Sequence, residues 1–337
     1  LGQRWSVPRR GSGRKISRAQ KNKPAKPIAT ALTLGNQFNV KNYGAVGDGH
    51  HDDWFAISKA IAAAQSESGD NNAVFFPPGD YLFTGQLQAD GVDFIGSQTN
   101  NGYPRLILGK NSNSSVILAG NKPQVRFLNF EIKDLNDGDA TAIRVAPTAT
   151  NFVISNNYFG PGFLSSVVIN NASQGSVAQN TINVRPTGAI AVNLKGSNNR
   201  SISISGNEFI GAGLDQSKPS TAVVVAGSES VAVQNNRISN VFTGVRVGNS
   251  LSTNIVENRI SNCSQYISAD GATQIQVAKN IIDGPIPQLQ GSTGILLQNI
   301  SNGRVNDNNV GDVADGISVL KATNARVTEN RVDQCLH

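Results

Sequence analysis

Histidine, cysteine, aromatic rings and charge are all scarce in this 337-residue chain, and each scarcity narrows what the protein can do. There are three histidines, His50 and His51 side by side and His337 at the far end, so the body has no imidazole for acid/base work. The two cysteines, Cys263 and Cys335, form no disulfide framework and no Cys-x-x-Cys spacing, which argues against structural zinc or thiol redox chemistry. Aromatic residues make up 6% and charged residues 15%, while glycine numbers 34, a profile that suits turn-rich β structure better than a helical bundle. No run of 18 apolar residues exists, so no membrane-spanning helix is predicted. Nothing in the sequence calls for a cofactor or a metal ion.

The charge that is present is unevenly placed. Residues 1–26 hold nine Lys and Arg and no acid, a charge of +9, whereas the remaining residues hold 20 basic and 23 acidic side chains, a charge of −3. An arm rich in Pro, Gly, Ser and Lys buries too little apolar surface to fold alone. It is expected to dock on a neighbouring subunit or partner surface through Arg4, Arg9, Arg10, Arg14, Lys15 and Arg18. Its single aromatic residue, Trp5, and the lack of a base-reading motif argue against nucleic acid as that partner.

From residue 154 onward one pattern recurs eight times: a β-branched residue, two variable residues, Asn, one variable residue, then Ile, Val or Phe. The copies are ISNNYF, VAQNTI, ISGNEF, VQNNRI, IVENRI, VAKNII, VNDNNV and VTENRV. Their asparagines are Asn157, Asn180, Asn207, Asn236, Asn258, Asn280, Asn308 and Asn330, spaced by 23, 27, 29, 22, 22, 28 and 22 residues. A period near 22 with loop-sized insertions describes a coil. At one strand per turn, equivalent residues lie ~4.8 Å apart, so the apolar columns on either side of each Asn face inward and the asparagines become a hydrogen-bonded ladder at a corner. Asparagine also tolerates the left-handed conformation that a sharp bend requires. A further strand precedes each copy, among them AIRV, VVIN, IAVNL, AVVVAG and GVRVG. Short strands with no helix between them predict an all-β, right-handed, single-stranded parallel β-helix. A leucine-rich horseshoe would need the Leu-x-x-Leu-x-Leu signature, which is absent.

Each cysteine stands five residues after a ladder asparagine, three rungs apart, so two free, buried thiols are expected ~14 Å from each other. Glu257, Lys279, Asp307 and Glu329 before the ladder, and Arg237, Arg259 and Arg331 after it, read as solvated surface.

Residues 38–83 read FNVKNYGAVGDGHHDDWFAISKAIAAAQSESGDNNAVFFPPGDYLF. A strand, a glycine-rich turn, a helix at about 53–65 capped by Asp52 or Asp53, and a strand ending at Pro77-Pro78-Gly79 are expected. The apolar face of Ile57, Ala60, Ile61 and Ala64 would close the open end of the coil. This segment resembles the N-terminal signature of the pectate-lyase-like superfamily, whose strand, YGAxGDG, Asp-Asp, Ala-Ile and FPPGxY are matched by Tyr43 to Gly49, Asp52, Asp53, Ala56, Ile57 and Phe76 to Tyr81. The resemblance covers about residues 38–335. It implies a polysaccharide-facing β-helix domain over 38–337, with regular rungs over about 141–335, behind an arm of residues 1–37. It also implies that the Asp-Asp segment is scaffold, so His50 and His51 are read as structural rather than metal-binding.

The superfamily's catalytic signatures, such as Asn-Thr-Asp with Gly-His-Gly and Arg-Ile-Lys, or Arg-x-Pro-x-x-Arg, are missing. Carboxylate chemistry remains: a glycosidase needs two carboxylates roughly 5 to 10 Å apart. The densest acidic cluster is Glu131, Asp134, Asp137 and Asp139, with Glu208 and Asp215 a weaker candidate. Tyr158, Phe163 and Tyr266 are the aromatic residues available to stack on a sugar, Tyr158 and Tyr266 being the preferred pair. The resemblance extends to bacteriophage tailspikes. It implies a virion-associated homotrimer anchored through the arm to other virion proteins and contacting a host surface glycan. The alternative is a secreted polysaccharide lyase or glycoside hydrolase.

Overall fold

In a computed structural model, residues 35–69, 71–97, 102–109, 115–120, 125–135, 140–214, 217–284 and 291–336 are described. The arm residues Arg4 to Arg18, together with Asp137, Asp139, Asp215 and His337, lie outside them. The chain winds as a right-handed parallel β-helix whose strands fall into three sheets, two of 12 strands and one of 10. We call them the first sheet, which begins at Gln37–Asn39, the second, at Asp48–Asp52, and the third, at Leu87–Asp90. Every pairing is parallel, and each rung contributes one strand to each sheet except the first and last described, which give none to the third.

The interior is built from columns of like side chains. In the first sheet Val74, Phe94, Phe127, Ile154, Val177, Ile204, Val233 and Ile255 are partners in register, all fully buried. In the second, Phe159, Ile182, Phe209, Ile238, Ile260, Ile282 and Val310 do the same. Stacking at ~4.8 Å puts each β-branched side chain against its own kind, burying apolar surface at about 25 cal/mol per Å².

The eight asparagines stand directly over one another. From Asn180 to Asn330, each carboxamide oxygen accepts both the main-chain N–H and the Nδ2 of the asparagine one rung earlier, at 2.9–3.0 Å. Each Nδ2 also donates to a carbonyl of the inward apolar column, for example Asn207 to Val177 at 2.8 Å and Asn236 to Ile204 at 2.9 Å. Donors and acceptors of a buried corner are thereby satisfied without water. The left-handed residue at this corner is the one before the ladder: Asn156, Gln179, Gly206, Asn235, Glu257, Lys279, Asp307 and Glu329 all have φ of 54–64°. The variable charges of that column therefore sit at the strained position, and the asparagine is free to face inward. Residues 37–134 join the coil ahead of the repeat. There Phe130 takes the corner position, its amide donating to Asn157 Oδ1 at 3.0 Å, and rings replace the ladder: Phe127 and Phe130 lie 4.6 Å apart, Phe76 and Phe130 5.1 Å.

The helix α1, Trp54–Ser66, lays Ala56, Ile57, Ala60, Ile61 and Ala64 over the first rung. The two aspartates divide the work. Asp52 Oδ1 accepts from the Trp54 amide at 3.0 Å at the start of α1, whereas the buried Asp53 carboxylate turns back and accepts from Val46 and Gly47, at 2.6 and 3.0 Å. Burial raises the Asp53 pKa, opposed by those two amides. Gly47 has φ +62° and Tyr81 packs against it, so a Cβ there would stand 2.9 Å from the ring. His50 and His51 are exposed; the Asp48 carboxylate accepts from both of their amides, and His51 Nδ1 meets it at 2.6 Å. Among the described residues no group of three His, Cys, Asp or Glu is placed to hold a metal ion. A second buried polar contact ties the first sheet: Arg126 Nε donates to Asp93 Oδ2 at 2.8 Å, and its amide to Asp93 Oδ1 at 2.7 Å.

Cys263 is buried, and burial pushes its thiol pKa up to about 12. Cys335 is only half-buried because the last rung has no neighbour above it among the described residues, which corrects the expectation of two buried thiols.

Replacing Asn236 by Leu strands the Asn207 amide and removes three further bonds, from Asn207 Nδ2 and from Asn236 Nδ2 to Asn258 Oδ1 and to the Ile204 carbonyl. A loss of about 3 kcal/mol or more is expected in urea unfolding, well beyond the ~1 kcal/mol of one ordinary hydrogen bond. At pH 8 a thiol reagent should titrate Cys335 in the native protein and reach Cys263 only after denaturation; equal rates would contradict the assignment.

Candidate functional site

Of the acidic cluster, Glu131 and Asp134 do not converge, while Asp137 and Asp139 lie outside the described residues. Glu131 and Asp134 lie on one strand, Glu131–Asp134, three residues apart, so their side chains leave opposite faces. Glu131 is half-buried on the outer face, between its register partners Arg105 and Tyr158, and Asp134 is buried on the inner side. Arg105 is itself held by Asp80, Nε to Oδ1 at 2.6 Å with a second contact from Nη2 to Oδ2, and that bonding raises its pKa. Glu208 follows Glu131 in the same outer column, with Tyr158 and Thr181 between. Three rungs separate the two glutamates by ~14 Å, beyond the reach of a glycosidase pair.

The tyrosines also part company. Tyr158 stands outward and 39% exposed on the second sheet. Tyr266 is fully buried, its hydroxyl donating to the Asp283 carbonyl at 3.1 Å, and burial pushes its pKa up. Its ring has no open face to offer a sugar, and the sequence expectation for it is corrected accordingly. Phe163 is buried as well.

The outer face of the third sheet holds a feature that the inward-looking reading of the sequence passed over. In strands Thr141–Val145, Ser165–Asn170, Ile190–Lys195, Thr221–Ala226 and Thr243–Gly248, the inward positions Ile143, Val167, Val192, Val223 and Val245 alternate with outward ones. The central outward column runs Arg144, Val168, Asn193, Val224 and Arg246 in register. Arg144 and Arg246 are exposed, whereas Val168, Asn193 and Val224 are recessed at 5–8% exposure. On one side the outward positions are Ala146, Asn170, Lys195, Ala226 and Gly248, whereas on the other Ala142, Ala191 and Ala222 belong to the hydrophobic core. The result is a shallow trough along the coil axis with a cation at each end.

The floor of the trough carries an unusual polar group. The Asn193 carboxamide points outward, is recessed between two valines, and makes no hydrogen bond among the described residues, although recessed carboxamides are ordinarily paired. Lys195 stands exposed two residues further along the same strand. No Asp or Glu occurs in these five strands, so the strands themselves offer no carboxylate for acid or nucleophile. The alternation in AIRV, VVIN, IAVNL, AVVVAG and GVRVG held the signal. Reading only the β-branched half of each strand concealed it.

With this geometry in hand, similarity to known proteins can be placed. Residues 37–268 match the family described as rhamnogalacturonase A/epimerase, pectate lyase-like. The chain is 30% identical over 202 residues to plasmin and fibronectin-binding protein A of Streptococcus pneumoniae, a span of 59% of this chain and 23% of that protein. The chain spans less than a quarter of the length of the curated relatives it matches. Among solved structures it is similar to DFA-IIIase of Arthrobacter chlorophenolicus A6 in complex with DFA-III, with TM-score 0.68, 17% identity, and 88% of this chain and 84% of that chain covered. It is similar also to the Dettilon tailspike protein, with TM-score 0.52, 13% identity, and 85% and 68% covered. At these identities the two structures share the fold.

Proposed function

The chain belongs to the rhamnogalacturonase A/epimerase, pectate lyase-like family, and from that footing we propose that it is a virion or extracellular attachment protein that binds a surface polysaccharide along the third sheet. The observation that carries this reading is the trough from Arg144 to Arg246, with an Asn193 carboxamide that has no partner among the described residues and no carboxylate in its five strands. A carboxamide with no protein partner on a recessed floor can exchange water for a hydroxyl or amide of a ligand. The names of a streptococcal relative that binds plasmin and fibronectin and of a tailspike with the same fold support a role in surface attachment. In this proposal the basic arm of residues 1–26 anchors the coil, to other virion proteins in the tailspike case, and the assembly is a homotrimer.

Glycan-array binding with the full chain tests the reading. Retention of a polysaccharide is expected, with Asn193→Leu weakening it about tenfold, equivalent to ~1.4 kcal/mol, at an unchanged melting temperature. Light scattering should return the mass of three chains. Failure to retain any glycan, or equal binding by the variant, would sink the binding assignment. The build-up of 4,5-unsaturated products from a bound uronan would replace it with the lyase alternative, in which a trough cation serves as base.

A further inference from the structure

The second sheet carries the charges of its outer face in order. Along one register column Glu131 and Glu208 stand in the first half, and Arg237, Arg259 and Arg331 follow in the second, so the sign changes between the adjacent partners Glu208 and Arg237. Both of these side chains are exposed, and neither has a hydrogen bond or ion pair among the described residues. Between Glu131 and Arg331 the column holds two apolar side chains, Tyr158 and Ile281, each 39% exposed. Tyr158 lies two rungs before Glu208, and Ile281 two rungs after Arg237.

Reversed, this column complements itself. A second copy, turned about a two-fold axis that runs along the strands midway between Glu208 and Arg237, sets Glu208 opposite Arg237 twice and Tyr158 opposite Ile281 twice. Arg259 then meets Thr181, and Glu131 meets Asn309, so no like charges oppose each other over this span. In the next outward column Lys133 sits over Gly311 of the other copy, with Asp283 and Asp333 one rung to either side. A parallel pairing would set equal rungs together, acid near acid and arginine near arginine, at a cost in repulsion.

We infer that the outer face of the second sheet is a self-recognition surface whose partner is a second copy of this chain, packed antiparallel, and that it joins coils carried on two facing surfaces. The first rungs of the two coils lie at opposite ends of such a pair, so neighbours standing parallel on one surface do not make it. A two-fold contact cannot close a three-fold ring, so it links chains of different assemblies. The seven register steps from Glu131 to Asn309 span ~34 Å and the strands are ~12 Å wide, so the contact covers on the order of 800 Å² in total, below the ~1,200 Å² of a stable complex. One pair of chains therefore binds weakly, and many pairs between two surfaces add up. The contact does not depend on the glycan reading; its placement between surfaces rests on the proposed attachment role.

Sedimentation velocity of the full chain over a wide range of concentration tests the contact. The mass should rise at least twofold from its value in dilute solution, and less so as sodium chloride is added. Glu208→Arg and Arg237→Glu, exposed changes expected to leave the thermal melt unaltered, should each move that rise to about tenfold higher concentration. Mixed in equal amounts the two variants should associate as the parent does, because each then opposes the other's charge, and one chain carrying both changes should do the same. Beads coated with the chain through its N-terminus should clump, and beads coated with either variant should clump only with those of the other. A mass independent of concentration, a rise indifferent to the single changes, or a loss that neither mixing nor the double change restores would each overturn the contact. Association in solution without clumping of beads would keep the contact and overturn its placement between surfaces. None of these outcomes bears on the trough, whose own test is glycan retention.

Discussion

One requirement governs this molecule: whatever a residue does in one rung, its equivalent must do again ~4.8 Å above and below. At the corner between the first and second sheets the chain meets that requirement with asparagine. Its side chain offers one acceptor and two donors, enough to receive the rung before and reach a neighbouring carbonyl in the same plane. Apolar columns obey the same rule by matching shape. Where the asparagine gives way to Phe130, packed rings take over the corner, so the coil continues through a change of chemistry without a change of geometry.

Repetition inside leaves the outside free. Outward residues need only tolerate a strand, and the residue before each ladder asparagine need only tolerate positive φ, so charge and polarity vary there from rung to rung. The trough is a departure within that freedom. Two valines and an unpaired carboxamide lie recessed between exposed cations in a chain that is poor in charge overall. Scaffold chemistry and ligand chemistry are thus kept on opposite faces of the same strands. The HHDD stretch belongs to the scaffold side, where Asp52 and Asp53 hold the start of α1 and the glycine turn, and the histidines are carried on its outer surface.

The alternation that builds the coil also decides against Glu131 with Asp134 as a catalytic pair. Glu131 and Asp134 are close in sequence, yet an odd separation on a strand sends them to opposite faces. Glu131 and Glu208 share a face, but the rung spacing sets them too far apart. Carboxylates work on a glycosidic bond in pairs at a fixed separation, whereas cations bind a polymer singly and at intervals, which a periodic coil supplies directly.

The sequence alone determined the winding, the sheet that each β-branched column lines, the ladder and the capping helix, because each repeats or follows a local rule that a short window exposes. Ahead of residue 141, where aromatic packing replaces the asparagine signal, the coil was expected from the family resemblance and not from the repeat, and the sequence did not reveal that the left-handed corner falls one residue before the ladder. It also misjudged Tyr266, whose ring lies in the hydrophobic core with its hydroxyl on the Asp283 carbonyl, and Cys335, which is only half-buried on the last described rung. Only the tertiary structure brought Arg144, Asn193, Lys195 and Arg246 onto one face, because residues about a hundred positions apart become neighbours through the register of stacked strands, and register is set by every rung at once.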